Sequence, residues 1–305
     1  MKTSDFGVVL ACHGGDYALA LGCVASVRQF MGNVPLAVIA DGDFDISILE
    51  NRFGARVIRR TDVRNRFLRE SSFGWGLTKM VAFWESPWEH FLYLDSDTVL
   101  WGDVRHIADF RLMDVVIDRP KYSYTKSQVE TYFFSIEQLE KAYPDFRWRG
   151  RAFANSGTFF ARRGSIELLE YQRLVALSQT SPGFFQCGEQ GILNLLLLRA
   201  ADAGRVRLGQ LPLQTLVPDH PAAELQRWFP TNRGIPEVSG SAAQVIHWCG
   251  QKPWLVSGAA FRGPMTLFRT HTKSMVQLWL GDLLRALQRS RWSQGARRRW
   301  RRFRV

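Results

Sequence analysis

The first hundred residues alternate between short apolar runs and longer stretches of mixed polarity. Apolar runs of a few residues favour buried strands, whereas longer runs with apolar residues every three or four positions favour helices. The pattern predicts strands at 7–12, 35–40, 56–59 and 90–94, and helices at 17–31, 46–53 and 77–84. Strands that alternate with helices indicate stacked βαβ units. We therefore expect an α/β fold with a mostly parallel sheet flanked by helices.

The length and composition of the chain predict a single domain over 1–270, followed by a tail over 271–305. Its 305 residues, 46% of them hydrophobic, are enough for a substantial core, and no repeat or Pro/Gly-rich linker divides it. The four cysteines are scattered, which favours a reducing compartment over a disulfide framework. Residues 1–6 are too short and polar for a signal peptide, and no run of 18 apolar residues follows. We expect a cytoplasmic protein.

The tail carries most of the excess charge. The formal net charge is +12, and the segment 289–305 contains eight arginines and no acidic residue. Trp292, Trp300 and Phe303 lie among these arginines, and apolar residues of 275–287 predict an amphipathic helix just before them. Apolar area beside arginine suits an anionic membrane surface. Nucleic acid would attract the same arginines, but no nucleic-acid motif accompanies them, so we expect a membrane contact or a solvated tail.

Two carboxylates, Asp95 and Asp97, interrupt an apolar stretch that reads as a strand from Leu92 to Leu100. Side chains alternate along a strand, so both carboxylates would point to the same side. Like charges near an apolar core need a cation between them, and Mg²⁺ or Mn²⁺ prefers carboxylate oxygens and is often shared with substrate phosphates. The pair predicts a divalent metal site, although Asp-x-Asp also occurs in turns, as Asp41-Gly42-Asp43 illustrates.

Ligands of parallel sheets bind at the carboxyl ends of the strands. Such an edge would bring together the turn at 13–16, Asp41 and the Asp95–Asp97 pair. The Gly14-Gly15 turn matches neither the dinucleotide fingerprint nor the phosphate loop, and a plain tight turn is equally compatible with it.

Four further segments carry a resemblance to a known family. They are Gly-Leu-Thr-Lys-Met at 76–80, Phe-Ala-Asn-Ser-Gly at 153–157, Cys-Gly-Glu-Gln-Gly-Ile-Leu-Asn at 187–194, and Val-Ile-His-Trp-Cys-Gly-Gln-Lys-Pro-Trp at 245–254. In this order around Asp-x-Asp they resemble glycosyltransferase family 8, which includes glycogenin and the bacterial lipopolysaccharide glucosyl- and galactosyltransferases. The resemblance covers about residues 7–254 and implies a GT-A, Rossmann-like domain that uses a UDP-sugar, UDP-glucose or UDP-galactose above all, and Mn²⁺ or Mg²⁺.

The resemblance also implies roles for individual residues. The implied metal ligands are Asp95, Asp97 and His247. The implied donor-nucleotide contacts are Ala11, His13, Tyr17, Lys79, Asp95, Ser96, Asp97, Gly250 and Lys252, and the implied sugar-binding or catalytic residues are Asn155, Glu189 and Gln190. Gln190 would lie on the face where a nucleophile or a stabiliser of the oxocarbenium-like state belongs. The acceptor would be a glycan or a lipid-linked glycan.

Three positions depart from the family pattern. The loop between His247 and Lys252 is one residue shorter, His13 replaces an acid or amide, and Glu189 replaces the more usual Asp. Retention of anomeric configuration is implied only by the resemblance. No enzyme carboxylate is identified as a nucleophile, which favours front-face transfer by positioning and charge stabilisation. A nucleotidyltransferase acting on sugar phosphates and a non-catalytic protein that binds membrane or nucleic acid stay open as alternatives.

Overall fold

The computed structural model describes residues 5–74, 76–232, 234–238 and 244–287. Its strands are β1 (Phe6–His13), β2 (Leu36–Asp41), β3 (Arg56–Arg59), β4 (His90–Asp95), β5 (Thr98–Leu100), β6 (Val115–Asp118), β7 (Thr158–Arg162), β8 (Leu208–Leu211), β9 (Gln214–Leu216), β10 (Thr231–Asn232), β11 (Ile235–Pro236) and β12 (Val245–His247).

The helices are α1 (Tyr17–Met31), α2 (Ser47–Asn51), α3 (Arg66–Ser71), α4 (Ala82–Glu85), α5 (Lys126–Tyr132), α6 (Ile136–Ala142), α7 (Leu168–Thr180), α8 (Glu189–Asp202), α9 (Ala222–Trp228) and α10 (Gly263–Arg269). Single turns of 3-10 helix lie at Arg60–Asp62, Leu77–Val81 and Val217–Asp219. Residues 275–287 are also helical. No helix in the described part of the chain is both long and apolar enough to cross a lipid bilayer.

The central sheet has seven strands in the order β3-β2-β1-β4-β7-β6-β8. Strands β1 to β4 are parallel to one another, β7 runs antiparallel to both of its neighbours, and β6 pairs in parallel with β8. The sheet is buried on both faces, since Val9 and Tyr93 belong to one apolar core and Leu10 and Leu94 to another. Burial on both faces explains why these strands read as unbroken apolar runs.

The predicted α/β class and mostly parallel sheet are confirmed. Strand β3 and helix α1 have the predicted bounds, β1 and β2 differ from their predicted bounds by one residue at each end, and β4 differs by one residue at its carboxyl end. Two predicted helices are shorter or less regular than expected. The segment 46–53 forms only the five-residue α2, and the segment 77–84 begins as a 3-10 helix that continues into α4.

The prediction that one strand carries both Asp95 and Asp97 is wrong. Strand β4 ends at Asp95, and a turn through Ser96 and Asp97 leads into β5. Asp95 is the last residue of β4 to pair with β1, opposite Ala11. The turn, not strand alternation, therefore brings the two carboxylates together.

A second sheet brings distant parts of the chain to this turn. Its order is β5-β12-β9, and β12 places His247 opposite Thr98, the residue after Asp97. A third apolar core, with Trp101, Trp248 and Phe268 among its members, packs this sheet against α1 and α10. Burial of these aromatic residues holds β12 against the turn at Ser96 and Asp97, although His247 follows Asp97 by 150 residues in the chain.

Candidate functional site

Three predicted metal ligands meet at the carboxyl ends of the parallel strands. Asp95, Asp97 and His247 each offer a ligand atom, and these atoms all lie within 4.8 Å of one another. Asp97 and His247 are buried, whereas Asp95 is partly exposed. Two carboxylate oxygens and one imidazole nitrogen suit Mn²⁺ or Mg²⁺. The donor set present in this structure therefore fits a divalent metal.

The orientation of His247 leaves one ring nitrogen for a metal. Its Nδ1 lies 2.8 Å from Oε1 of Gln214, while its Nε2 faces Asp97 Oδ1 at 3.5 Å. The amide nitrogen of Gln214 donates to the Asn155 carbonyl at 3.2 Å, so Oε1 is the end that accepts from Nδ1. With Nδ1 engaged by Gln214, Nε2 is the ring nitrogen that a metal would coordinate.

A glycine makes room for this ring. A Cβ placed on Gly157 would lie 2.2 Å from Cε1 of His247, far inside van der Waals contact. Gly157 also accepts a hydrogen bond from the Asp95 N–H at 2.8 Å through its carbonyl. Any larger residue at position 157 would push the imidazole away from the two carboxylates.

Sequence reasoning missed the residues that support His247. Gln214 lies at the start of β9, and Asp118 at the end of β6 accepts from the Gln214 N–H at 3.3 Å and the Leu213 N–H at 2.9 Å. Burial raises the pKa of Asp118 and outweighs these hydrogen bonds. Neither residue belongs to a motif, and only their neighbours in space reveal the role.

The ammonium group of Lys252 forms an ion pair with the Asp97 carboxylate. Its Nζ is 2.5 Å from Asp97 Oδ2, and the left-handed φ of 87° at Gly250 turns the chain between His247 and Lys252. Burial alone would raise the pKa of Asp97, but His247 and Lys252 outweigh it and hold the pKa well below its usual range. Asp97 is therefore a carboxylate, the form that binds metal.

Lys79 lies between Asp95 and Glu189. Its Nζ is 3.0 Å from the Asp95 carboxylate and 2.8 Å from Glu189 Oε1, and it donates to Oγ of Ser156 at 3.2 Å. Burial lowers the pKa of Lys79, but the two carboxylates outweigh this effect and raise it above the usual value of lysine. The ammonium group thus compensates two acids, and Tyr93 adds a hydroxyl that donates to Asp95 at 2.9 Å.

The predicted sugar-binding residues lie beside this lysine. Glu189 begins α8 and accepts from Oγ of Ser156 at 2.8 Å, and Gln190 accepts weakly from the Ser156 N–H at 3.4 Å and donates to the Tyr132 carbonyl at 3.2 Å. Asn155 accepts from the Gly157 N–H at 2.9 Å. All three are partly exposed, so polar groups remain within reach of a ligand.

The predicted nucleotide contacts extend along the same sheet edge. Ala11 pairs with Asp95, and His13 lies at the end of β1 opposite Asp41. His13 is exposed and its Nε2 is 3.0 Å from Asp16. Tyr17 begins α1 and packs edge-on against Phe44 at 5.7 Å between ring centroids. Ser96 is buried in the turn between the two aspartates. The predicted nucleotide contacts therefore lie at the same edge of the sheet as the three predicted metal ligands.

Several solved structures are similar to the chain. The galactosyltransferase LgtC, in complex with donor and acceptor sugar analogues, has a TM-score of 0.58 and 14% identity, covering 90% of this chain and 99% of that chain. The bifunctional glycosyltransferase WbbM has a TM-score of 0.55 and 14% identity, covering 90% and 51%. The glycosyltransferase GlyE of Streptococcus pneumoniae has a TM-score of 0.55 and 14% identity, covering 93% and 63%.

The chain has the GT-A fold. At this identity the likeness establishes the fold alone, because one fold supports many activities. In sequence the chain matches no family model and no curated protein. The resemblance to family 8 therefore stays a prediction, and activity has to be argued from the site of this GT-A protein.

Proposed function

We propose that this protein is a metal-dependent retaining glycosyltransferase that transfers a hexose from UDP-glucose or UDP-galactose to a hydroxyl of a glycan or glycolipid. The observation that carries this proposal is the cluster of Asp95, Asp97 and His247 at the carboxyl edge of a GT-A sheet. Similarity to LgtC, which was crystallised with donor and acceptor sugar analogues, supports a sugar-nucleotide donor. Ligands of open α/β sheets bind at this edge.

The residues around the metal site serve the leaving group. Asp95, Asp97 and His247 would hold Mn²⁺ or Mg²⁺, which when bound supplies positive charge to neutralise the departing nucleoside diphosphate. Lys252 provides a second positive charge from the same edge and binds the diphosphate. Ala11, His13 and Tyr17, at the end of β1 and the start of α1, contact the base and ribose. Leaving-group stabilisation is then the main catalytic task of this side of the site.

The residues around Lys79 serve the sugar. Asn155, Glu189 and Gln190 bind the transferred hexose, and Lys79 and Ser156 hold the Glu189 carboxylate in place. Gln190 lies next to Glu189 with its side chain fixed at both polar ends. We favour a front-face route in which the acceptor hydroxyl transfers its proton to the departing phosphate oxygen, so that a β-linked product from an α-linked donor contradicts the proposal.

Donor hydrolysis across UDP-, GDP- and CMP-sugars, with and without Mn²⁺, tests the function. We expect Mn²⁺-dependent hydrolysis of one UDP-hexose, lowered at least about a thousandfold in Asp97→Asn because metal stabilisation supplies several kcal/mol. Asp202→Asn, which disturbs a bidentate pair with Arg151 at the far end of α8, is the matched control and keeps full activity. Absence of metal-dependent UDP binding overturns the proposal, and transfer of the nucleotide instead of the sugar replaces it with a nucleotidyltransferase.

We also propose that the protein lies on the inner, cytoplasmic face of a membrane through its C-terminal region. The helix at 275–287 exposes a set of large apolar side chains, namely Met275, Val276, Trp279, Leu280, Leu284 and Leu287. The arginine-rich segment 289–305 follows directly in sequence and lies outside the described residues. Apolar area together with arginine suits anionic lipid. A lipid-linked acceptor would then be presented near the site.

Vesicle sedimentation tests this location. The full chain should bind vesicles of phosphatidylglycerol and phosphatidylcholine more strongly than vesicles of phosphatidylcholine alone, and the difference should shrink in high salt. A chain that ends at Leu287 should lose most of the binding to the anionic vesicles. Equal binding by both chains would show that the arginine-rich segment is not the anchor.

A further inference from the structure

The helix at 275–287 turns an acidic side chain towards the protein. Within this segment only Leu278 and Asp282 are buried, four positions apart on one face, and Asp282 is 1% exposed. A buried carboxylate is unfavourable unless its oxygens are paired with donors. The partners of Asp282 therefore determine what this helix is attached to.

Asp282 joins three segments of the chain. Both of its oxygens pair with Arg269 at the end of α10, at 2.6 Å and 3.0 Å, and Arg269 is itself 1% exposed. Oxygen Oδ2 also accepts from the backbone N–H of Leu255 at 2.8 Å. Leu255 is three residues beyond Lys252, so this carboxylate holds the loop that carries the proposed diphosphate-binding lysine.

The loop between Lys252 and Ser257 is fixed by further contacts of the same kind. Arg262, just before α10, donates to the carbonyls of Trp254, Leu255 and Ser257. The guanidinium groups of Arg269 and Arg285 lie 5.2 Å and 5.0 Å from the centroid of the Trp254 ring. These cation–π contacts add to the hydrogen bonds that hold the loop against α10.

The backbone of Lys252 is tied directly to these residues. Its carbonyl accepts from the Trp254 N–H at 2.9 Å and from Oγ of Ser257 at 2.9 Å. The Lys252 ammonium, at the other end of the residue, reaches Asp97. Asp282 is therefore linked to the metal site through Leu255 and Lys252, by one hydrogen bond and three residues of chain.

We propose that Asp282 is a positioning residue for Lys252, and that it couples the helix at 275–287 to the donor site. Asp282 fixes residues 254–257 and so keeps Lys252 beside Asp97. Because the loop is already ordered, binding of a diphosphate does not have to pay the entropy cost of ordering it. The part of this inference that concerns diphosphate rests on the proposed function. The structural part, that Asp282 orders the Lys252 loop, does not.

Hydrogen exchange of the full chain tests the structural part. In Asp282→Asn we expect amide exchange at 250–258 to accelerate about tenfold, as local opening becomes easier, while β1 and β4 keep their protection. Asp202→Asn, in the bidentate pair with Arg151, should change neither region. Unchanged exchange at 250–258, or an equal loss of protection in β1 and β4, overturns the proposal.

A second variant keeps the test decisive if Asp282→Asn does not fold. The double replacement Arg269→Met with Asp282→Leu exchanges the buried ion pair for apolar side chains, which proteins often tolerate, and removes the acceptor of the Leu255 N–H. The same local acceleration at Leu255 is expected. Wild-type exchange at Leu255 in this variant contradicts the role of Asp282.

Calorimetric binding of UDP in the presence of Mn²⁺ tests the link to Lys252. Asp282→Asn should weaken UDP about tenfold in the native background and by less than about twofold in a Lys252→Met background, since coupled residues are not additive. An equal loss in both backgrounds overturns the positioning role. If the native protein binds no UDP with Mn²⁺, the proposed function fails, and hydrogen exchange still decides whether Asp282 orders the loop.

Discussion

Asp95 and Asp97 lie two residues apart, yet different parts of the chain hold them. On the Asp95 side, defined here as Asp95, Lys79, Ser156 and Glu189, the lysine side chain is 5% exposed and touches two carboxylates. On the Asp97 side, defined as Asp97, Gln214, His247 and Lys252, the lysine side chain is 27% exposed and pairs with one. The first side joins the end of β4 to the 3-10 helix at Leu77–Val81 and to the start of α8, and the second is assembled by the small sheet and the C-terminal segment.

This difference between the two lysines predicts that one acts mainly on the stability of the fold and the other mainly on the binding of ligands. A lysine that compensates two acids inside the protein contributes to folding whether or not a ligand is present. A partly exposed lysine that shares its carboxylate with a metal can change partners when metal and diphosphate bind. Replacement of Lys79 should therefore appear mainly in the free energy of unfolding, and replacement of Lys252 mainly in ligand affinity.

The largest effect is expected from Lys79→Met. It leaves Asp95 and Glu189 without their shared cation and should lower the free energy of unfolding by about 3–5 kcal/mol, measured by urea denaturation. Lys126→Met is the control, because Lys126 forms an exposed helical pair with Glu130 at 3.8 Å and its loss should cost less than about 1 kcal/mol. Equal costs for the two variants would remove the distinction between the two sides.

Lys252→Met should act mainly on binding. Loss of a charged contact with the diphosphate is worth about 1.5–3 kcal/mol, which is roughly 10- to 150-fold in UDP affinity. Binding of Mn²⁺ without nucleotide should strengthen instead, because Lys252 no longer competes for Asp97. Titration calorimetry with Mn²⁺ and then with UDP separates the two effects. With Mn²⁺ present, a loss of unfolding free energy as large as that of Lys79→Met would contradict the comparison.

The Asp95 side was easier to predict from sequence than the Asp97 side. Strand β4 and its neighbours follow from apolar runs that are buried on both faces, although the same pattern extended the strand through Asp97, whereas β4 ends at Asp95. The family resemblance pointed to Lys79, Glu189 and His247. It did not show that Lys79 lies between two acids, because pairing of side chains depends on distances across elements that sequence periodicity does not contain.

The residues that hold the Asp97 side in place could not be predicted from the sequence, for a physical reason. Gln214, Asp118 and Asp282 are single polar residues in short elements, and nothing in their local sequence distinguishes them from surface residues. The amphipathic pattern of 275–287 predicted the helix, but the residue that attaches it is a carboxylate paired with a buried arginine. Buried polar contacts of this kind follow from tertiary packing and leave no periodic signal.

The smallest effect is expected from Gln214→Leu, which sharpens the comparison within the Asp97 side. The variant removes the acceptor of the His247 Nδ1–H, so the imidazole loses its fixed orientation, and Mn²⁺ affinity should fall about tenfold, as is common for residues behind a metal ligand. Gln214→Glu keeps an acceptor oxygen and should restore most of the affinity. Gln210→Leu is the control, because Gln210 donates to the Ala152 carbonyl at 2.7 Å and does not touch His247. Unaltered Mn²⁺ binding in Gln214→Leu would mean that the close fit of the ring against Gly157 orients it without Gln214, so that packing and not this hydrogen bond holds His247 on the Asp97 side.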